Sequence, residues 1–126
     1  MEFKDTQSIY LQIAEHFCEN ILLKKWKPGD RIPSVREMAV NIEVNPNTVM
    51  RTFNYLQDKG IIFNRRGIGY FVSEDGFQKT MALRKEEFIN HELPRIFKEM
   101  ELLNLSLDDV STYYKKHLEK GTHENK

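Results

Sequence analysis

The sequence predicts a mainly α fold with a small β-hairpin: a winged helix-turn-helix domain followed by two C-terminal helices. Three observations predict it. Two helix-start signals, at Ser34 and Asn45, lie close together. A pair of β-rich segments then flanks Arg65-Arg66-Gly67-Ile68-Gly69. After it, apolar residues recur at alternating spacings of four and three as far as Leu103.

The first helix is expected from about Ser8 to Lys25, because Ile9, Ile13, Phe17 and Ile21 form one apolar stripe. Lys24 and Lys25 suit the negative end of its dipole. Pro28-Gly29-Asp30 makes a turn. The second helix is short, about Val35 to Ile42. It begins at a capping box, Ser34-Val35-Arg36-Glu37, in which the serine oxygen takes an orphan N–H and the glutamate reaches back. The third helix starts at Asn45-Pro46. Asparagine caps well, and proline at the first helical position loses no needed hydrogen bond. Gly60 ends this helix, which spans about Pro46 to Lys59. So short a link between the second and third helices sets them at a sharp angle.

The third helix separates its faces. Val49, Phe53 and Leu56 fall within a stripe of about 60°. Asn47, Thr48, Arg51, Asn54 and Tyr55 cluster opposite. Between Pro46 and Lys59 the only acid is Asp58. A merely solvated face mixes both signs of charge. Amides, hydroxyl, guanidinium and phenol are instead the groups that grip phosphates and read base edges.

Ile61-Ile62-Phe63 and Tyr70-Phe71-Val72 are expected to pair as a hairpin. Its tip carries Arg65, Arg66, Gly67 and Gly69. Glycine lets a backbone approach a surface closely, and arginine there suits a minor groove or phosphate oxygens. A solubilising edge hairpin is the bland alternative.

A long helix is then expected from about Gly76 to Leu103. Ala82, Ile89, Leu93, Ile96, Met100 and Leu103 form its apolar seam. Pro94 removes a backbone donor, so a bend is expected near Asn90 to Pro94. Ser106 to Asp109 caps a last helix, lined by Leu107, Val110, Tyr114 and Leu118 and ended by Gly121. The seam covers either the chain's own first domain or a second subunit. The second is the better expectation, since a symmetric dimer matches a palindromic DNA site. The expected division is residues 1–75 for the winged domain, 76–121 for the dimerisation segment and 122–126 for a disordered tail.

Composition bounds the rest. The length fits one domain, or a small domain with an appendage, and excludes a fused catalytic domain of ordinary size. With 40% apolar and 30% charged residues the chain can build a core. No run approaches a membrane span and the start lacks an apolar signal segment, so a cytoplasmic protein with no membrane partner is expected. Lone Cys18 excludes an internal disulfide and a cysteine-only zinc cluster. The formal net charge is zero, but residues 24–72 hold nine bases against four acids, leaving that segment at +5. Such a middle can hold a polyanion on one face.

No enzyme is legible. His91-Glu92-Leu93-Pro94-Arg95 lacks the second histidine of a zinc protease helix. His16 and Cys18 diverge by about 200° on a helix, so they form no nucleophile pair. Gly67-Ile68-Gly69 lacks the third glycine of a dinucleotide fingerprint. No catalytic residue, metal or cofactor is expected.

The runs Ile9-Tyr10-Leu11-Gln12-Ile13, Pro28 to Ala39, Val44 to Arg51 and Arg65 to Val72 resemble the DNA-binding domain of the GntR family of bacterial transcription regulators. The likeness covers about residues 8–73 in unbroken order. The short helical tail resembles the YtrA-type subfamily, in which such helices dimerise. The resemblance implies roles. Arg36 would meet a guanine edge or a phosphate, and Ser34 would cap and touch phosphate. Asn45, Asn47 and Thr48 would sit at the recognition-helix entrance, with Arg51 one turn on. Arg65, Arg66, Gly67 and Gly69 would form the wing, with Tyr70 at its base. It also implies a repressor of an operator, often that of a transporter operon. Three departures stand out: Glu43 where glycine is common, Thr52 where alanine is usual, and Phe53 in place of tyrosine. An unidentified small-molecule effector, bound between the winged domain and the C-terminal helices, is compatible with this reading, though no polar cluster marks a pocket. The rival reading is a winged protein-interaction module whose basic face meets an acidic partner.

Overall fold

A computed structural model describes residue 3 and residues 7–124. The order is α1 (Ile9–Leu22), α2 (Val35–Ile42), α3 (Pro46–Asp58), β1 (Ile62–Arg65), β2 (Gly69–Val72), α4 (Gly76–Glu87), a π-helical turn (Phe88–Glu92), α5 (Leu93–Leu102) and α6 (Leu107–Glu124). The chain forms two compact units, residues 1–85 and 86–126. The division therefore falls later than the expected 75/76. α4 begins inside the first unit, with Gly76 and Thr80 buried.

In the first unit the apolar stripes of three helices meet. Ile13, Phe17 and Ile21 from α1 join Met38 and Ala39 from α2 and Val49, Phe53 and Leu56 from α3. Ile61, Ile62 and Val72 close this core from the hairpin. Burying such side chains is worth about 1.5–3 kcal/mol each, which holds α3 at a set angle. Ile9, expected on the α1 stripe, is 44% exposed. It sits at the helix's first position, beyond the reach of the core. α1 also stops at Leu22, short of Lys25. Lys24 takes a left-handed φ of 61° just past the end.

α2 has the expected start. The Ser34 Oγ accepts from the Glu37 backbone N–H at 3.1 Å, and the Glu37 carboxylate accepts from the Ser34 N–H at 3.4 Å. Glu43 turns the chain out of α2 with φ 55° and ψ 51°. A side chain in this region is strained, and glycine would relieve the strain. Asn45 caps α3, its side-chain oxygen accepting from the Asn47 N–H at 2.8 Å.

β1 and β2 pair antiparallel, with Ile62 opposite Val72 and Arg65 opposite Gly69. The other edge of β2 is also covered. The Gly29 N–H donates to the Val72 carbonyl at 2.8 Å, and the Ile32 N–H donates to the Tyr70 carbonyl at 3.0 Å. The segment after α1 therefore braces the wing.

In the second unit the expected bend is a π-helical turn. It ends just before Pro94, which sits in the first turn of α5. Proline cannot donate to the carbonyl four residues back, and a widened turn accommodates the missing bond. Of the expected seam, Ala82 falls in the first unit and the other residues fall in the second. Ile89, Ile96, Leu103, Leu107 and Tyr114 are exposed, and so are Phe88, Phe97, Leu102 and Leu118. Ser106 and Asp109 form a second reciprocal cap. α6 then runs through Gly121, the expected stop, to Glu124. The hydrogen-bond ladder tolerates glycine at an entropic cost of about 1 kcal/mol. Of the tail expected over 122–126, residues 125–126 lie outside the described residues.

Candidate nucleic-acid interface

The core dictates which side of α3 stays wet. With Val49, Phe53 and Leu56 fully buried, Asn47, Arg51 and Asn54 are exposed. Thr48 is half-buried at the edge of this face. Asp58, the single acid of the helix, lies at its far end. The exposed face thus presents amide donors and acceptors with a guanidinium, and no carboxylate until the last turn.

α2 adds a second exposed cation. Arg36 is exposed in the first turn, behind the Ser34 cap. Ser34 is half-buried, and its oxygen is occupied by the Glu37 N–H. Asn45 is exposed, and its oxygen is likewise engaged in capping. Both can still offer groups to a phosphate, but their first task is to start a helix.

The wing carries the third element. The Ile68 N–H donates to the Arg65 carbonyl at 2.9 Å, closing a tight turn. Gly67, third in that turn, takes φ 78°, a value glycine adopts without strain. Arg66, Gly67 and Ile68 are exposed at the tip. Arg65 folds back over the outer face of the hairpin. Its guanidinium lies 5.1 Å from the Phe71 ring and 5.9 Å from the Phe63 ring. Those two rings are themselves stacked at 5.7 Å.

Two expected site residues also make packing contacts. Tyr55 is half-buried, and its ring meets the Tyr10 ring edge-on at 6.2 Å. Tyr70 is half-buried against the core, edge-on to Phe53. Helical period places Tyr55 on the wet face as squarely as Asn54, and what half-covers it is Tyr10 of α1.

Two residues escaped the sequence. Arg31 bridges to Phe71 beside the wing. A Cβ on Gly69 would sit 2.9 Å from the Arg31 Nε, so the guanidinium lies against the glycine. Tyr10 lies beneath the Arg51 guanidinium at 4.0 Å. Neither carries a local signal. Arg31 is placed by the pairing of distant segments, and Tyr10 lies one position off the apolar stripe of α1.

Two short helices joined by a three-residue turn, an acid-poor outer face and a basic two-stranded wing together define a winged-helix DNA-binding regulator. The chain belongs to the gntR family of bacterial regulatory proteins, whose profile matches residues 9–72. It is 35% identical over 120 residues to the HTH-type transcriptional regulator YhcF of Bacillus subtilis, covering 95% of this chain and 98% of the relative. It is 33% identical over 112 residues to the HTH-type transcriptional repressor YtrA of the same organism, covering 89% of this chain and 85% of the relative. A solved structure from Bacteroides thetaiotaomicron, assigned to the GntR family, superposes with TM-score 0.75 at 41% identity. That match covers 90% of this chain and 98% of the other. The protein is a DNA-binding transcriptional regulator, in a family of regulators rather than enzymes. No helix among the described residues is long and apolar enough to cross a membrane.

Proposed function

We propose that the protein is a dimeric cytoplasmic repressor that occupies a two-fold symmetric operator and so blocks polymerase. The observation that carries the reading is the face of α3, where Asn47, Arg51 and Asn54 are exposed with no carboxylate among them. In this reading α3 enters a major groove with Asn47, Thr48 and Arg51 toward base edges. Arg36, Ser34 and Asn45 meet phosphates or a guanine edge at its entrance. Arg65, Arg66 and the glycine-framed tip reach the neighbouring groove or backbone. Tyr55 and Tyr70, half-buried beside them, complete the DNA-facing set.

The second subunit is supported by the apolar side chains of residues 86–126. Ile89, Ile96, Phe97, Leu103, Leu107, Tyr114 and Leu118 are all exposed in the single chain. So much exposed apolar surface marks an interaction site in a soluble protein. Leu93, Met100 and Val110 lie among them half-covered. An operon encoding a transporter is the target the YtrA-type likeness supports.

Selection of bound duplexes from a random pool tests the reading. A palindromic consensus, with affinity that falls as salt rises, is expected. Arg36→Ala should weaken the selected duplex by about 1–3 kcal/mol and relax one base position. Leu93→Asp should lower the solution mass from dimer to monomer. Binding to an acidic protein with no affinity for any duplex would establish the interaction-module reading instead.

A further inference from the structure

We propose that Tyr10 positions Arg51 for DNA through the face of its ring. The proposal rests on reading Arg51 as a DNA contact. Three side chains of α3 converge on this one residue of α1. The Arg51 guanidinium lies 4.0 Å from the ring centroid. The Thr52 hydroxyl donates to the Tyr10 carbonyl at 2.8 Å. The Tyr55 ring stands edge-on to it, at 6.2 Å and 75°. The backbone is pinned, the ring plane is braced and the cation rests on the ring.

The consequence follows from arginine's chemistry. An exposed arginine samples many rotamers, and binding must freeze them. A guanidinium held on an aromatic face has lost part of that freedom beforehand, which favours the bound state. Stacking uses the π face of the guanidinium and leaves its N–H donors directed outward in the plane. Those donors are what a guanine edge or a phosphate accepts from. Among the described residues no carboxylate pairs with Arg51 and diverts them. Thr52 has a part here too. Alanine at that position would leave the Tyr10 carbonyl without its bond from α3.

Anisotropy titrations with a duplex selected from a random pool test this, using Tyr10→Phe, Tyr10→Leu, Arg51→Ala, Arg51→Lys and the Tyr10→Leu/Arg51→Ala pair in the full chain. Tyr10→Phe keeps the ring face and should bind within about twofold of the parent. Tyr10→Leu should lose about fivefold, the size of a modest cation–π contact, and relax the base position that Arg51→Ala relaxes. The double variant should bind no worse than Arg51→Ala alone. Arg51→Lys keeps the charge without the planar stack, and should show the same relaxed position in a protein whose core is untouched. Proton spectra of the unbound protein should show the Arg51 side chain shielded by the ring in the parent and in Tyr10→Phe, and unshielded in Tyr10→Leu.

Additive losses in the double variant would overturn the proposal, because Tyr10 would then act independently of Arg51. Equal losses in Tyr10→Phe and Tyr10→Leu would overturn it in favour of the hydroxyl. A silent Arg51→Ala would remove Arg51 from the interface and the proposal with it, a result distinct from either of these.

Discussion

The Tyr70 ring meets the Phe53 ring edge-on, with centroids 4.7 Å apart and planes at 87°. Phe53 is fully buried in α3, and Tyr70 belongs to β2 at the base of the wing. Phe53 also meets Phe17 of α1 edge-on at 5.3 Å. One side chain therefore couples the reading helix, its supporting helix and the wing. Phe53→Ala should cost about 3–5 kcal/mol in chemical denaturation. A double-mutant cycle with Tyr70→Ala should return about 0.5–1.5 kcal/mol of coupling.

The Thr80 hydroxyl is buried in α4 and finds no hydrogen-bond partner among the described residues. An unsatisfied buried hydroxyl costs free energy that a methyl of the same size does not. Thr80→Val should raise stability by about 1 kcal/mol, read as a higher denaturation midpoint at unchanged slope. DNA affinity should stay the same.

The wing arginines differ in their surroundings, and salt dependence should separate them. Arg66 is exposed at the tip, whereas Arg65 rests on Phe71 and Phe63. Removing a phosphate contact lowers the slope of log affinity against log salt by about 0.9. Arg66→Ala should lower it by that amount. Gly69→Ala should weaken binding although it adds and removes no charge. At φ 142° a side chain is strained, and its Cβ would press on the Arg31 guanidinium.

Acid should loosen the start of α6. Bonds from the Ser106 backbone N–H and hydroxyl hold the Asp109 carboxylate below its ordinary value of 3.8. A depressed folded pKa adds stability above the unfolded pKa, and this is lost as pH falls through the folded one. Helicity measured by circular dichroism should therefore fall below about pH 4. The Asp109→Asn variant should lack that part of the acid transition.

Much of the first unit was legible before any coordinates. Ser34 and Glu37 are three residues apart, and Asn45 caps its own helix, so both starts follow from local hydrogen bonds. Val49, Phe53 and Leu56 share a face by helical period alone, which leaves Asn47, Arg51 and Asn54 opposite. Two glycines around Ile68 announce a turn whichever protein holds them. These features depend on neighbours a few residues away, and sequence displays such neighbours directly.

Tertiary packing decided the rest. Tyr55 is half-covered on the wet face because Tyr10 of α1 packs edge-on against it. Tyr70 faces the core because β2 pairs at a register that puts Val72 and Tyr70 inward and Phe71 outward. Arg31 reaches the wing only after the segment following α1 pairs with β2. Tyr10 meets Arg51 across two helices whose angle the buried aromatic rings set. Each of these contacts joins residues distant in the chain, so only the folded core, by selecting one packing of its stripes, brings them into being.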